Sequence, residues 1–119
     1  MIAGIGIDII ELSRVRRSYT RLGDRFVEKI LTPKEREIFK TIECTRRNVE
    51  FLAGRFCAKE AYMKATGKGM SAGFHAISVL NRKSGEPYIE TEEPSEFKIH
   101  LSISHTKDYA VAQVVLERV

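Results

Sequence analysis

Apolar and small residues alternate at the start of the chain, where Ile5, Ile7 and Ile9 are interleaved with Gly4 and Gly6 and the run ends on Asp8 and its neighbours. β-Branched residues favour an extended, pleated backbone, and glycines let a second backbone come close, so residues 2 to 9 read as a strand. The period then changes. Leu12, Val15, Tyr19 and Leu22 recur at i, i+3, i+7 and i+10, and Arg14, Arg17 and Arg21 follow a neighbouring stripe. A helix over Leu12 to Leu22 can therefore dock one stripe on a core and present a cationic ridge on the other.

Gly23-Asp24 breaks that pattern, and Arg25 to Leu31 reads as a short amphipathic piece. Thr32-Pro33-Lys34-Glu35 announces the next helix, with Thr as N-cap, Pro at the first helical position and Glu three residues after the cap. It should end before the polar stretch from Cys44 to Asn48. The longest helix is expected from about Arg46 to Thr66, closed by Gly67 and Gly69, with Gly67 to Gly73 as the best candidate for a mobile loop. After it the pattern has period two: Ala76 to Asn81 and Pro87 to Glu90 flank the turn Lys83-Ser84-Gly85-Glu86, and Phe97 to Ser104 and Tyr109 to Glu117 form a second strand pair around Thr106-Lys107-Asp108. A strand, then helices, then antiparallel strands predict an α+β fold with helices packed on one face of a small antiparallel sheet.

A chain of 119 residues predicts one domain, 1–119, with little surplus for a deep private cleft, so a site shared between subunits is a natural solution. No apolar run approaches the roughly 18 residues of a membrane span, and the N-terminus has no basic leader segment. A cytoplasmic protein is expected, with Cys44 and Cys57 as reduced thiols. The net charge is +4. Between Leu12 and Lys29 six basic residues stand against two acidic ones, an excess of four that equals that of the whole chain. The remainder is balanced, which turns Arg14, Arg17 and Arg21 from an ordinary solvated face into a candidate docking surface for an acidic partner.

Two carboxylates stand where packing alone does not explain a charge. Asp8 follows the glycine-punctuated strand, and Glu60 shares its helix face with Ala53, Phe56 and Met63. Together they fit an oxygen-only site for a hard cation such as Mg²⁺, which takes one or two carboxylates and completes its shell with water and substrate oxygens. Each has a plain alternative: Asp8 as a cap for the helix beginning near Leu12, Glu60 as the i, i+4 partner of Lys64. Lys64, one turn beyond Glu60, can neutralise phosphate charge, and His105 with Thr106, at a strand end, can form a phosphate-contacting edge. Gly67-Lys68-Gly69 lacks the spacing of a P-loop.

Three segments in this order carry a family resemblance: Gly4-Ile5-Gly6-Ile7-Asp8-Ile9-Ile10-Glu11, Phe56-Cys57-Ala58-Lys59-Glu60-Ala61 with Lys64-Ala65, and Leu101-Ser102-Ile103-Ser104-His105. The chain resembles the bacterial holo-acyl-carrier-protein synthases, small 4'-phosphopantetheinyl transferases, over essentially its whole length. The resemblance implies that fold, commonly as a trimer with sites between subunits. It implies Mg²⁺-dependent transfer of the 4'-phosphopantetheine arm of coenzyme A to a serine of apo-acyl carrier protein, releasing adenosine 3',5'-bisphosphate, in support of fatty acid biosynthesis. It further implies Asp8 and Glu60 as metal ligands, Lys64 as a phosphate contact with a catalytic share, His105 and Thr106 near the 3'-phosphate, and an acidic carrier for Arg14, Arg17 and Arg21. The general base stays open, a metal-bound water or a carboxylate such as Glu60. The rival classes are a basic binding module without activity, for which RNP-like and zinc patterns are missing, and a metal-dependent phosphohydrolase built on the same carboxylates.

Overall fold

The isoleucine-glycine segment forms β1 (Ile2–Glu11) in a computed structural model that describes residues 1–68 and 73–119. Four helices follow, α1 (Leu12–Leu22), α2 (Asp24–Ile30), α3 (Pro33–Phe39) and α4 (Thr45–Thr66), and then strands β2 (Ile77–Asn81), β3 (Pro87–Thr91), β4 (Phe97–His105) and β5 (Tyr109–Arg118). The expected order holds, with the strands divided between two antiparallel sheets, β1-β5-β4 and β2-β3. Gly67, in the left-handed conformation, ends α4 as predicted, its N–H donating to the carbonyls of Met63 and Lys64. The expected role of Gly69 and most of the 67–73 loop fall on residues 69–72, outside the described residues.

Helix α4 lies against the sheet, and the sheet face toward it is made of small residues. Ala110, Ala112, Val114 and Leu116 of β5 are buried, and in register beside them run Ile10, Asp8, Gly6 and Gly4 of β1. A Cβ on Gly6 would lie 1.9 Å from the carbonyl oxygen of Ala61, and one on Gly4 2.1 Å from that of Ala65. The glycines thus let β1 rest directly on the backbone of α4, the close approach their sequence pattern predicts. The isoleucines take the opposite face: Ile5, Ile7 and Ile9 are 60%, 57% and 63% exposed. From Gly4 to Ile9, therefore, the isoleucines point outward and the glycines face α4, while Ile10, at the end of that inner row, packs against the core.

β1 also runs beyond Asp8 to Glu11, which corrects one reading of Asp8. The residue before α1 is Glu11, no side chain caps that helix, and the first free N–H, of Leu12, donates to the carbonyl of Asp108 at 2.8 Å. Asp8 is an internal strand residue paired with Ala112, so it cannot serve as the cap.

The capping box at α3 forms as the sequence predicts, with Thr32 Oγ1 accepting the Glu35 N–H and Glu35 Oε1 accepting the Thr32 N–H at 2.8 Å. Its acid has a second task. Glu35 and Lys59 are both fully buried and paired at 2.6 Å, and Lys59 Nζ spends its other N–H bonds on the carbonyls of Ile30 (2.8 Å) and Phe74 (2.7 Å). Glu35 Oε2 accepts the Val79 N–H at 2.6 Å. One ammonium and one carboxylate so tie α4 to the end of α2, the start of α3, β2 and the segment entering it. Burial pulls the Lys59 pKa down and Glu35 opposes that shift, as expected of a buried pair kept by its hydrogen bonds. Lys59 belongs to the framework, and its neighbour Glu60 belongs to the surface.

Candidate active site

Successive residues on a strand face alternate sides, so the face of β1 that sets Gly4 and Gly6 on α4 also sets Asp8 there. On α4 the row beneath is Cys57, Ala61 and Ala65, and the adjoining row carries Glu60 and Lys64. Lys64 Nζ donates to Asp8 Oδ1 at 3.2 Å and to the carbonyl of Ile7 at 2.9 Å. The partner of Lys64 is thus Asp8, across the strand-helix contact, and the alternative of a Glu60–Lys64 pair along the helix is not what forms. Asp8 Oδ2 is buried and has no hydrogen-bond partner among the described residues.

Burial pushes the Glu60 carboxyl pKa up, the charge of Asp8 pushes it further, and Lys64 partly offsets both. The Cys57 thiol is pushed well up by burial and then by Asp8, so it stays protonated, and it donates to the carbonyl of Ala110 at 3.5 Å. Two carboxylates so close that the charge of Asp8 raises the proton affinity of Glu60, and one of them with an unsatisfied buried oxygen, form a donor set that a hard divalent cation completes. On that observation the residues fit Mg²⁺. Among the described residues no cluster of three or more His, Cys, Asp or Glu has metal-site geometry, so two protein ligands leave the rest of a shell to water and substrate.

A second feature lies toward the N-terminal end of α4, a hollow of about 280 Å³ lined by Arg47, Phe51, Arg55, Asn81, Pro87 and His105 among others. Arg55 is buried, its guanidinium stacks 3.9 Å from the Phe51 ring centroid, and Nη2 donates to Asn81 Oδ1 at 2.7 Å. Its Nε is buried without a partner among the described residues, and burial lowers its pKa to about 10. A desolvated guanidinium with an unused donor attracts an anion, and the aromatic and proline edges around it suit a flat ring. From Glu50, which lines the hollow, to Glu60 the helix rises about 15 Å, and that length of α4 separates the hollow from the carboxylates.

The remaining predicted residues divide. His105 lines the hollow and its Nδ1 is 3.4 Å from Glu50 Oε2. Thr106 Oγ1 accepts the N–H groups of Asp108 (3.2 Å) and Tyr109 (3.1 Å), so its acceptor capacity closes the β4-β5 turn and only its O–H remains for a ligand. Arg14, Arg17 and Arg21 are exposed on α1 and form no ion pair among the described residues. Arg55, Asn81 and Glu50 were not predicted. Arg55 carries the same signal as Glu60, a charge in apolar company between Leu52 and Ala58; Asn81 and Glu50 have no sequence signal of their own.

Comparison with known proteins gives one answer along the whole chain. The model of the 4'-phosphopantetheinyl transferase superfamily matches residues 4–114. The chain is 48% identical to a holo-[acyl-carrier-protein] synthase of Geobacillus sp. (strain WCH70), covering 99% of this chain and 98% of that one. It superposes on the crystal structure of a holo-(acyl-carrier-protein) synthase from Bacillus anthracis str. Ames in complex with CoA (3',5'-ADP), with TM-score 0.90 and 50% identity over 100% of this chain and 99% of the other. The synthase from Neisseria meningitidis gives TM-score 0.89 at 35% identity, covering 99% of this chain and 100% of that one. With its strand-borne Asp8 set against Glu60 and Lys64, and matches that span nearly its full length, the chain belongs to the 4'-phosphopantetheinyl transferase superfamily.

Proposed function

We propose that the chain forms a single phosphopantetheinyl transferase domain that moves the 4'-phosphopantetheine group of coenzyme A onto a serine of apo-acyl carrier protein. The serine Oγ forms the new bond to the β-phosphorus, the pyrophosphate bond breaks, and adenosine 3',5'-bisphosphate leaves with the bridging oxygen. The observation that carries this reading is the unsatisfied Asp8 Oδ2 beside Glu60, two carboxylates that would hold a divalent cation. Mg²⁺ held by Asp8 and Glu60 would neutralise charge on the pyrophosphate oxygens. Lys64 has committed two of its three N–H bonds to Ile7 and Asp8, which aims the third at a phosphate oxygen and at the charge that develops on it. The serine proton goes to a general base, for which Glu60 is the carboxylate at hand. Arg55, Arg47 and His105 line the hollow that would take the nucleotide end, and Thr106, next to His105 in the chain, is the proposed further contact there. The competing phosphohydrolase reading leaves the arginine ridge without a task.

The test is a mass measurement. Incubation with coenzyme A, Mg²⁺ and apo-carrier protein should add one phosphopantetheine to the carrier, and no gain in mass would refute the proposal. Hydrolysis of coenzyme A without carrier would favour the phosphohydrolase. Arg14, Arg17 and Arg21, which form no ion pair among the described residues, are the proposed landing surface for an acidic carrier. Arg14→Glu or Arg21→Glu should raise the KM for carrier about tenfold or more and change that for coenzyme A less than about twofold, and equal effects on both would remove the docking role from α1.

A homotrimer with sites between subunits gives the outward face of β1 its cover, since Ile5, Ile7 and Ile9 would otherwise stand in water. Sedimentation showing only monomer at micromolar concentration would overturn that assignment. Among the described residues no helix is long and apolar enough to cross a membrane, and a place in the cytoplasm, supplying carrier protein for fatty acid biosynthesis, completes the proposal.

A further inference from the structure

Two contacts of different kinds hold Arg55. Its guanidinium lies 3.9 Å from the centroid of the Phe51 ring, one turn back on α4, and that stack sets the plane of the group. Asn81 Oδ1, at the end of β2, accepts from Nη2 at 2.7 Å and sets the rotation within the plane. The amide is itself fixed, because its Nδ2 donates to the Gly85 carbonyl across the β2-β3 turn at 3.0 Å. A guanidinium only donates and a carbonyl only accepts, so both bonds require the same orientation of the amide. Closing the turn needs only the bond to Gly85; the bond to Arg55 is additional, and it joins the two walls of the hollow, α4 and the β2-β3 hairpin.

Asn81 aims the guanidinium without cancelling its charge. The acids of this region are turned to other bases, Glu35 to Lys59 at 2.6 Å and Glu50 to Arg46 at 3.7 Å. Arg55 is therefore buried against a neutral partner, an arrangement that costs solvation and lowers its pKa to about 10. A carboxylate in place of Asn81 would grip the guanidinium harder and neutralise it. We infer that Asn81 is a positioning residue for Arg55, directing a guanidinium that keeps its charge toward the phosphate-bearing end of the ligand. The role rests on the coenzyme A reading and extends it to a residue that reading does not include.

Calorimetric titration of the full chain with adenosine 3',5'-bisphosphate, the leaving product of the proposed reaction, reads the role directly. Asn81→Ala should raise its Kd about tenfold, the lower end of what one hydrogen bond to a charged group is worth. The KM for coenzyme A should rise in parallel, with kcat at saturation changed less than about twofold. Asn81→Asp keeps the acceptor and adds a charge, so it should bind the bisphosphate about tenfold or more weakly while its unfolding midpoint stays at or above the parent's. A midpoint that falls together with binding would assign Asn81 to the hairpin alone, and binding equal to the parent's in Asn81→Asp would overturn the inference as well. In an Arg55→Met background, Asn81→Ala should add less than about twofold, and an undiminished loss there would mean that Asn81 acts by another route. The parent separates the two layers. If it binds neither the bisphosphate nor coenzyme A, the coenzyme A reading itself falls; if it binds both and Asn81→Ala matches it, only the positioning role falls.

Discussion

Glu60→Gln should abolish transfer, lowering kcat/KM by about a thousandfold or more, while the metal-free variant unfolds at a temperature no lower than the parent's at pH 7.5. The loss follows from removing one of two carboxylates on which the metal grip depends, at a site where charge stabilisation of the phosphoryl group is the main work to be done. The stability half follows from the sign of the pKa shift. Burial first, and Asp8 second, raise the Glu60 value in the folded protein, so folding favours its protonated form. Such a group contributes stability that is fully present below the unfolded carboxyl value and is lost as pH rises through the folded one. At pH 7.5 without metal, an ionised Glu60 beside Asp8 is therefore a net cost, and the neutral amide removes it. Calorimetry with EDTA and with Mg²⁺ reads both halves: Mg²⁺ should raise the parent's midpoint and leave that of Glu60→Gln unmoved. Full activity in the variant, or an equal Mg²⁺ shift in both proteins, would sink the metal site. Asp8→Asn should lose transfer as completely but gain less stability, because it also weakens a partly exposed pair with Lys64 worth about 0–1 kcal/mol.

This tension between stability and site was visible in the sequence at Glu60 and only half visible at Asp8. For Glu60 a charge among apolar helix positions is a local signal, and it survives folding because α4 forms where its periodicity and Gly67 place it. For Asp8 the strand was legible but its length was not, and two further residues of pairing with β5 decide that it faces α4 and caps nothing. Arg14, Arg17 and Arg21 were legible as a ridge because exposure follows directly from the apolar stripe beside them. The direction of β1 was not. Isoleucines ordinarily mark the buried face of a strand, and only the backbone of α4, lying where a Cβ would stand, shows that the glycines own it. Lys59, Arg55 and Glu50 share one further limit. Their partners Glu35, Asn81 and His105 are 24 to 55 residues away, and no periodicity on α4 encodes which side chains from other elements arrive at its surface.

Gly6→Ala should cost about 3 kcal/mol or more and lower the unfolding midpoint by about 10 °C, a large share of the 5–15 kcal/mol available to a domain of this size. The added methyl would sit 1.9 Å from the Ala61 carbonyl oxygen, 2.8 Å from the Ala65 nitrogen and 2.9 Å from the Ala61 carbonyl carbon. All three are main-chain atoms of a helix interior, so no side chain can swing aside, and relief requires β1 and α4 to separate. That separation has a second consequence, because Asp8 lies two residues along the same face and reaches Lys64 only at the present spacing. The fraction that stays folded should therefore lose transfer activity as well, with the Mg²⁺-dependent rise in midpoint reduced. Gly54→Ala provides the contrast: its new methyl would meet only Ile103 Cγ2, at 3.4 Å, in the middle of α4, where alanine is favoured over glycine by about 1 kcal/mol. Its midpoint should hold or rise. If Gly6→Ala instead unfolded at the parent's temperature with Asp8 and Lys64 still paired, the direct seating of β1 on α4 would not be what brings the two halves of the site together.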